Sequence, residues 1–160
     1  MEVRSAHKLP VSVLVVVHTP DLRVLLIERA DRPGFWQSVT GSQHPGETLE
    51  ETAVRELYEE TGLDAAQYRL VDWQKQTVFE IYPHWRHRYA PGVTHNTENV
   101  FSLEVPQIVD VTLAPREHVA YAWLPWREAA EQAFSWSNAE AIRALPVRGA
   151  ASNGAGELKR

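Results

Sequence analysis

The sequence predicts an α/β fold, an open sheet with helices laid against it, and three observations carry that expectation. Residues 11–18, VSVLVVVH, are apolar on both parities after their start, and such a run reads as a strand buried on both faces of a sheet. Residues 49–61 place Leu49, Ala53 and Leu57 on one helical stripe with carboxylates on the opposite side, so one face packs and the other stays polar. Further on, stretches rich in Val, Tyr, Trp, Phe and Thr recur, which suits additional strands.

The chain has 160 residues and no cysteine. That length makes one domain of ordinary size, able to bury a core without metals or disulfides as staples. The missing cysteines exclude disulfide frameworks, thiolate zinc sites and cysteine catalysis, and they suit a reducing cytosol. The first ten residues, MEVRSAHKLP, are too polar for a signal peptide, and the run at 11–17 is far below membrane-spanning length. A cytoplasmic protein without membrane contact is expected. The net charge of −5 argues against a general nucleic-acid binder.

In chain order, the strand at 11–18 is followed by a Thr-Pro-Asp turn at 19–21 and a second strand at 24–28, a hairpin pattern. A charged loop follows, in which Arg29 is either a phosphate-binding fork or a solvated strand-end arginine. A short strand at 35–40 delivers Thr40 and Gly41 to the next helix, and Phe35 and Trp36 are expected in the core beside that helix. Thr48 is placed as its N-cap with Glu51 as capping-box partner, and Gly62 as its C-cap. Residues 68–81 hold one or two strands. Residues 82–98 interleave aromatics with Arg86, Arg88, His84, His87 and His95, the composition of a loop that stacks a flat heterocycle and offers cations to a polyphosphate. A zinc site from the three histidines and an RNA-stacking loop are weaker readings of the same stretch. Strands at 99–105 and around 117–124 follow, then a helix opened by Pro125 and another capped at 137–138 and running through Leu145. The domain is expected to span 1–147, with 148–160 a disordered tail of small polar residues.

The chemistry concentrates in residues 41–63, GSQHPGETLEETAVRELYEETGL. Glu56, Glu59 and Glu60 stand at i, i+3 and i+4, a spacing that turns carboxylates toward a shared face. Like charges that close repel, so a hard divalent cation is the natural occupant; Mg²⁺ takes oxygen ligands and is held by one or two carboxylates plus substrate phosphates. Two other motifs fail here. The spacing at 41–48 is that of a phosphate-binding P-loop, but Glu47 stands where the lysine belongs. Ser42 lacks the Gly-x-Ser-x-Gly elbow of a serine hydrolase.

Gly41, Glu47, Arg55-Glu56-Leu57, Glu59-Glu60 and Gly62-Leu63 together resemble the signature of the Nudix hydrolases, with no departure at any fixed position. The resemblance implies an α/β/α sandwich with a mixed sheet and a loop-helix-loop catalytic motif. It also implies Mg²⁺- or Mn²⁺-assisted hydrolysis of a small-molecule polyphosphate. The segments 10–13, 35–42, 86–94, 96–98 and 135–138 further resemble the bacterial Nudix branch that releases pyrophosphate from dihydroneopterin triphosphate in folate synthesis. That likeness implies Glu56, Glu60 and Glu117 as metal ligands and Glu59 or Glu60 as the group that orients or deprotonates water. It places Lys8, Arg29, Thr40, Ile81, Tyr82, Pro83, His84 and Ser135 around the substrate, and makes Glu47 and Arg55 a structural ion pair. A Nudix enzyme of (d)NTPs, including oxidised ones, and a non-catalytic sensor of a phosphorylated ligand are the alternatives. A monomer or small homo-oligomer is expected.

Overall fold

The computed structural model describes residues 7–159, with side chains through Arg148. Seven strands form one mixed sheet: β1 (Val11–His18), β2 (Arg23–Arg29), β3 (Trp36–Gln37), β4 (Val39–Ser42), β5 (Arg69–Glu80), β6 (His95–Glu104) and β7 (His118–Pro125). Three helices cover it: α1 (Leu49–Thr61), α2 (Trp126–Gln132) and α3 (Trp136–Lys159). Among the described residues no helix is long and apolar enough to cross a membrane.

β1 is the hub. It runs parallel to β6 along its whole length and antiparallel to β4, while β5 extends the sheet beyond β6. The hairpin with β2 exists but opens at once: only His18 and Val24 pair, and β2 takes β7 and the short β3 as its main partners. Along β1, Val13, Val15 and Val17 enter a core with α1, Phe101 and Leu103. Leu14 and Val16 enter a second core with α2, α3 and Val100. The two-sided apolar run is therefore the middle layer of an α/β/α sandwich. Fully burying one such Val or Leu contributes roughly 1.5–3 kcal/mol, so β1 anchors both layers.

α1 has the ends its sequence announces. The Thr48 hydroxyl accepts from Glu51 N at 3.1 Å and Glu51 accepts from Thr48 N at 2.8 Å, a complete capping box. Gly62 closes the helix at φ 75° with its N–H on Tyr58 O, the left-handed cap that glycine adopts without steric cost.

Three expectations need correction, and one narrows: of the one or two strands expected at 68–81 the structure has one. Trp36 packs against the α2–α3 core, not beside α1, and Phe35 stacks on Phe134 at 4.7 Å; a two-residue strand turns its neighbours to opposite faces. Residues 69–80 form one strand, and its irregularity between Asp72 and Gln76 is absorbed by Gln74 at φ 54°. β6 begins at His95 rather than 99, because Asn96 and Glu98 are polar residues on a buried face and hide the alternation. α3 runs through Pro146 to Lys159, so the backbone of 148–159 is helical where a disordered tail was expected.

Candidate active site

α1 lies against β4, and Gly41 leaves the space that the Glu56 side chain occupies: a β-carbon there would overlap the Glu56 carboxyl. From that position Glu56 and Glu60 enter a cleft of about 910 Å³. Both are buried, at 8% and 3% exposure, and each carboxyl is near enough to shift the other's titration. Burial, the largest cause, raises both above the ordinary carboxyl range; for Glu60 the charge of Glu56 adds to it. Two buried acids that repel when both are ionised suit a divalent-cation site, since a hard cation satisfies the same oxygens without the repulsion. The residues present therefore fit a hard divalent cation. Among the described residues no three His, Cys, Asp or Glu side chains gather as a ready ligand cluster. That sets aside zinc on His84, His87 and His95, and it leaves Glu117 as a third carboxylate on the cleft wall rather than part of a closed cage.

The helix also separates what the spacing grouped. Glu59 does not line the cleft; it is exposed and meets Arg55 at 3.3 Å. The three glutamates do not share one volume. Relative to Glu56, position i+4 lies about 40° round the helix and i+3 about 60° the other way, and only the first direction faces the cleft.

Arg55 is the strut under Glu56. It donates to both Glu47 oxygens at 2.7 and 3.0 Å, to Ser42 O at 2.9 Å and to Glu56 at 2.8 Å. The Arg55 guanidinium in turn holds the Glu47 carboxyl down at about 2. Glu47 also accepts from His44 N and Thr52 Oγ1. Glu47 and Arg55 thus form the loop-to-helix ion pair expected of them.

Lys8, Arg29, Thr40, Ile81, Tyr82 and Ser135 all line the same cleft; Pro83 and His84 do not. His84 lies at the rim, stacked on Tyr82, because residues 83–88 wind into a 3-10 turn that carries it outward. Thr40 donates its hydroxyl to Val13 O at 2.9 Å and points its amide at Glu60 across 3.4 Å. Arg29 is clamped by both Asp31 oxygens at 2.8 Å and lies 4.6 Å over the Trp85 ring. Arg88 shares Asp31 and Trp85 with it. Desolvation by the cleft wall and then the nearby Arg88 charge lower the Lys8 ammonium below its ordinary value. Arg86, the other basic residue of the loop, is used internally, on Glu80 and on Ile81 O.

Arg88, one of the cations expected from the 82–98 loop, lines the cleft, and so do Asn96, Glu98, His118 and Phe134, to which the sequence reading assigned no individual role. His118 is pushed down to about 4, first by burial and then by Arg29, so it is neutral at neutral pH. Its Nδ1, Asn96 Oδ1 and Glu98 Oε1 are buried without a hydrogen-bond partner among the described residues. The available signal was the parity of β6: Asn96 and Glu98 alternate with Val100, a position inside the second core.

Comparison with known proteins agrees with this geometry. The profile of the NUDIX domain matches residues 8–145. The chain is 48% identical over 149 residues to dihydroneopterin triphosphate diphosphatase of Escherichia coli K12, covering 91% of this chain and 98% of that one. It is 44% identical to the protein of that name in Haemophilus influenzae, over 82% of this chain and 84% of the other. The solved structure of the E. coli dihydroneopterin triphosphate pyrophosphohydrolase superposes with a TM-score of 0.84 at 47% identity, covering 90% of this chain and 99% of that one.

Proposed function

Because this chain belongs to the Nudix family, we propose that it is a metal-dependent pyrophosphohydrolase that cleaves dihydroneopterin triphosphate to dihydroneopterin monophosphate and pyrophosphate. The observation that carries the reading is one cleft holding the buried Glu56–Glu60 pair together with Lys8 and Arg29, in a chain 48% identical over nearly the full length of the E. coli relative. Its place is the cytoplasm, in the synthesis of folate.

Glu56 and Glu60 would hold the divalent ion, with Glu117 available from the opposite wall. A bound Mg²⁺ or Mn²⁺ supplies charge neutralisation on phosphate oxygens and lowers the pKa of water. The protein supplies position. Arg55 fixes Glu56, the tight Gly41 contact sets how near α1 comes to β4, and Lys8, Arg29 and Arg88 receive the phosphate tail as charge-assisted donors. Ser135, Ile81 and Tyr82 line the part of the cleft left for the heterocycle. Glu60 carries the water-orienting role alone, since Glu59 faces solvent.

The test is pyrophosphate release with Mg²⁺, comparing dihydroneopterin triphosphate with ribo- and deoxynucleoside triphosphates at equal concentration, for the wild type and Glu60→Gln. Preference for the pterin, abolished by EDTA and reduced by orders of magnitude in a folded Glu60→Gln protein, is expected. Equal or faster turnover of a nucleotide would replace the substrate; near-normal activity of Glu60→Gln would remove Glu60 from the site.

A further inference from the structure

Glu98 is the least explained charged side chain in the cleft. It is 5% exposed with the Ser137 hydroxyl nearby, and its Oε1 has no hydrogen-bond partner. Two residues earlier on the same face of β6, Asn96 gives its amide N–H to Ser12 Oγ at 2.7 Å and leaves Oδ1 equally bare. Leaving a buried acceptor unpaired costs about 1–3 kcal/mol, and the sandwich gains nothing from two of them side by side. Both line the cleft. What they lack is a set of N–H donors.

The register gives their distance from the phosphate end. Glu98 pairs with Ser12 and Ser12 with Ser42, so β6 stands two strand spacings, roughly 10 Å, from the β4 strand whose Thr40 meets Glu60. A ring seated on β6 can thus keep its linker and first phosphates near Glu56 and Glu60. Phe134 and Tyr82, with ring centroids 6.3 Å apart, stand on the same cleft and offer aromatic surface to a flat heterocycle.

We propose that Glu98 reads the substrate ring, its carboxylate accepting the paired N–H donors of a 2-amino-4-oxo pyrimidine edge, with Asn96 Oδ1 as a further acceptor. The proposal rests on the pterin reading above and names the residue that selects the ring. An exocyclic amino group and the adjacent ring N–H point in parallel, as the two donors of a guanidinium do, and a carboxylate meets such a pair with both oxygens. A 2-oxo ring would turn an acceptor toward the same carboxylate and be refused. Burial pushes Glu98 up to about 7, and N–H donors arriving at its oxygens oppose that shift by favouring the ionised form.

The experiment measures KM and kcat for dihydroneopterin triphosphate in the wild type, Glu98→Gln and Glu98→Asp. Neopterin, which carries the 2-amino group, and lumazine, which carries an oxygen in its place, serve as competing rings. Hydrogen bonds to a charged group are worth about 1.5–3 kcal/mol, so Glu98→Gln is expected to raise KM about 10- to 100-fold, with a smaller change in kcat, and to erase a preference for neopterin over lumazine. Glu98→Asp keeps the charge but withdraws it, and is expected to lose less. If the wild type does not turn over the pterin substrate, the functional reading itself falls. If it does, and both variants keep KM and ring preference within twofold, the role of Glu98 alone is overturned.

Discussion

Burial lifts the Glu98 carboxyl from 4.5 to about 7, and this makes the stability of the metal-free protein depend on pH in a definite direction. Between those two values the folded chain binds a proton that the unfolded chain has released, so stability falls as pH rises from about 4.5 to 7 and levels off above. At about 1.4 kcal/mol per unit, the loss is on the order of a few kcal/mol. Glu56 and Glu60 are shifted the same way, so the contribution of Glu98 is isolated by substitution. In EDTA, Glu98→Gln is expected to melt above the wild type at pH 8, with the gap closing toward pH 5. Parallel melting curves would show that the carboxyl is not the source. The residue scale is also where sequence reasoning reached least far. Helical spacing groups Glu59 with Glu56 and Glu60, but a helix face is narrower than the i+3 and i+4 positions together, and only contact with β4 says which of the two looks inward.

At the scale of elements, the seat of α1 on β4 governs the carboxylates, and Gly41 is where the Glu56 side chain lies over β4. Gly41→Ala is expected to push Glu56 away from Glu60, lower turnover by orders of magnitude and weaken Mg²⁺ activation, while circular dichroism shows the sheet intact. Normal activity at saturating Mg²⁺ would mean that the helix can yield without cost. The elements themselves were legible because their signals are local: the capping box at Thr48 and Glu51, Gly62 at the far end, and the two-sided apolar run of β1. The early start of β6 and the side taken by Trp36 were not, since both are decided by which neighbour covers a strand. Asn96 and Glu98 read as loop residues until β1 is laid beside them, and then become the floor of the cleft.

Across the whole molecule, the α/β/α layering and the signature helix follow from sequence pattern and family resemblance, whereas the heterocycle end of the cleft is assembled from the turn after β5, β6 and the turn before α3, distant in the chain. We infer that the catalytic unit is complete by residue 148. Leu145 is the last residue of α3 in the second core, and Arg148 covers the Trp73 ring at 4.2 Å. A chain ending at Arg148 is expected to keep its turnover and to melt within a few degrees of the full protein, and a large loss of either would show that the final helical turns pack. Upstream of that point long-range contacts close the fold. The Asn138 side chain accepts from Ser38 N at 2.8 Å and donates to Ser38 Oγ at 3.0 Å, across 100 residues of chain, and β1 waits for β6 in parallel register. Contacts of such long range are slow to close. During synthesis, the signature helix leaves the ribosome well before the strand and helix that complete its cleft, so a nascent chain carries its acids for many seconds without a pocket to use them in.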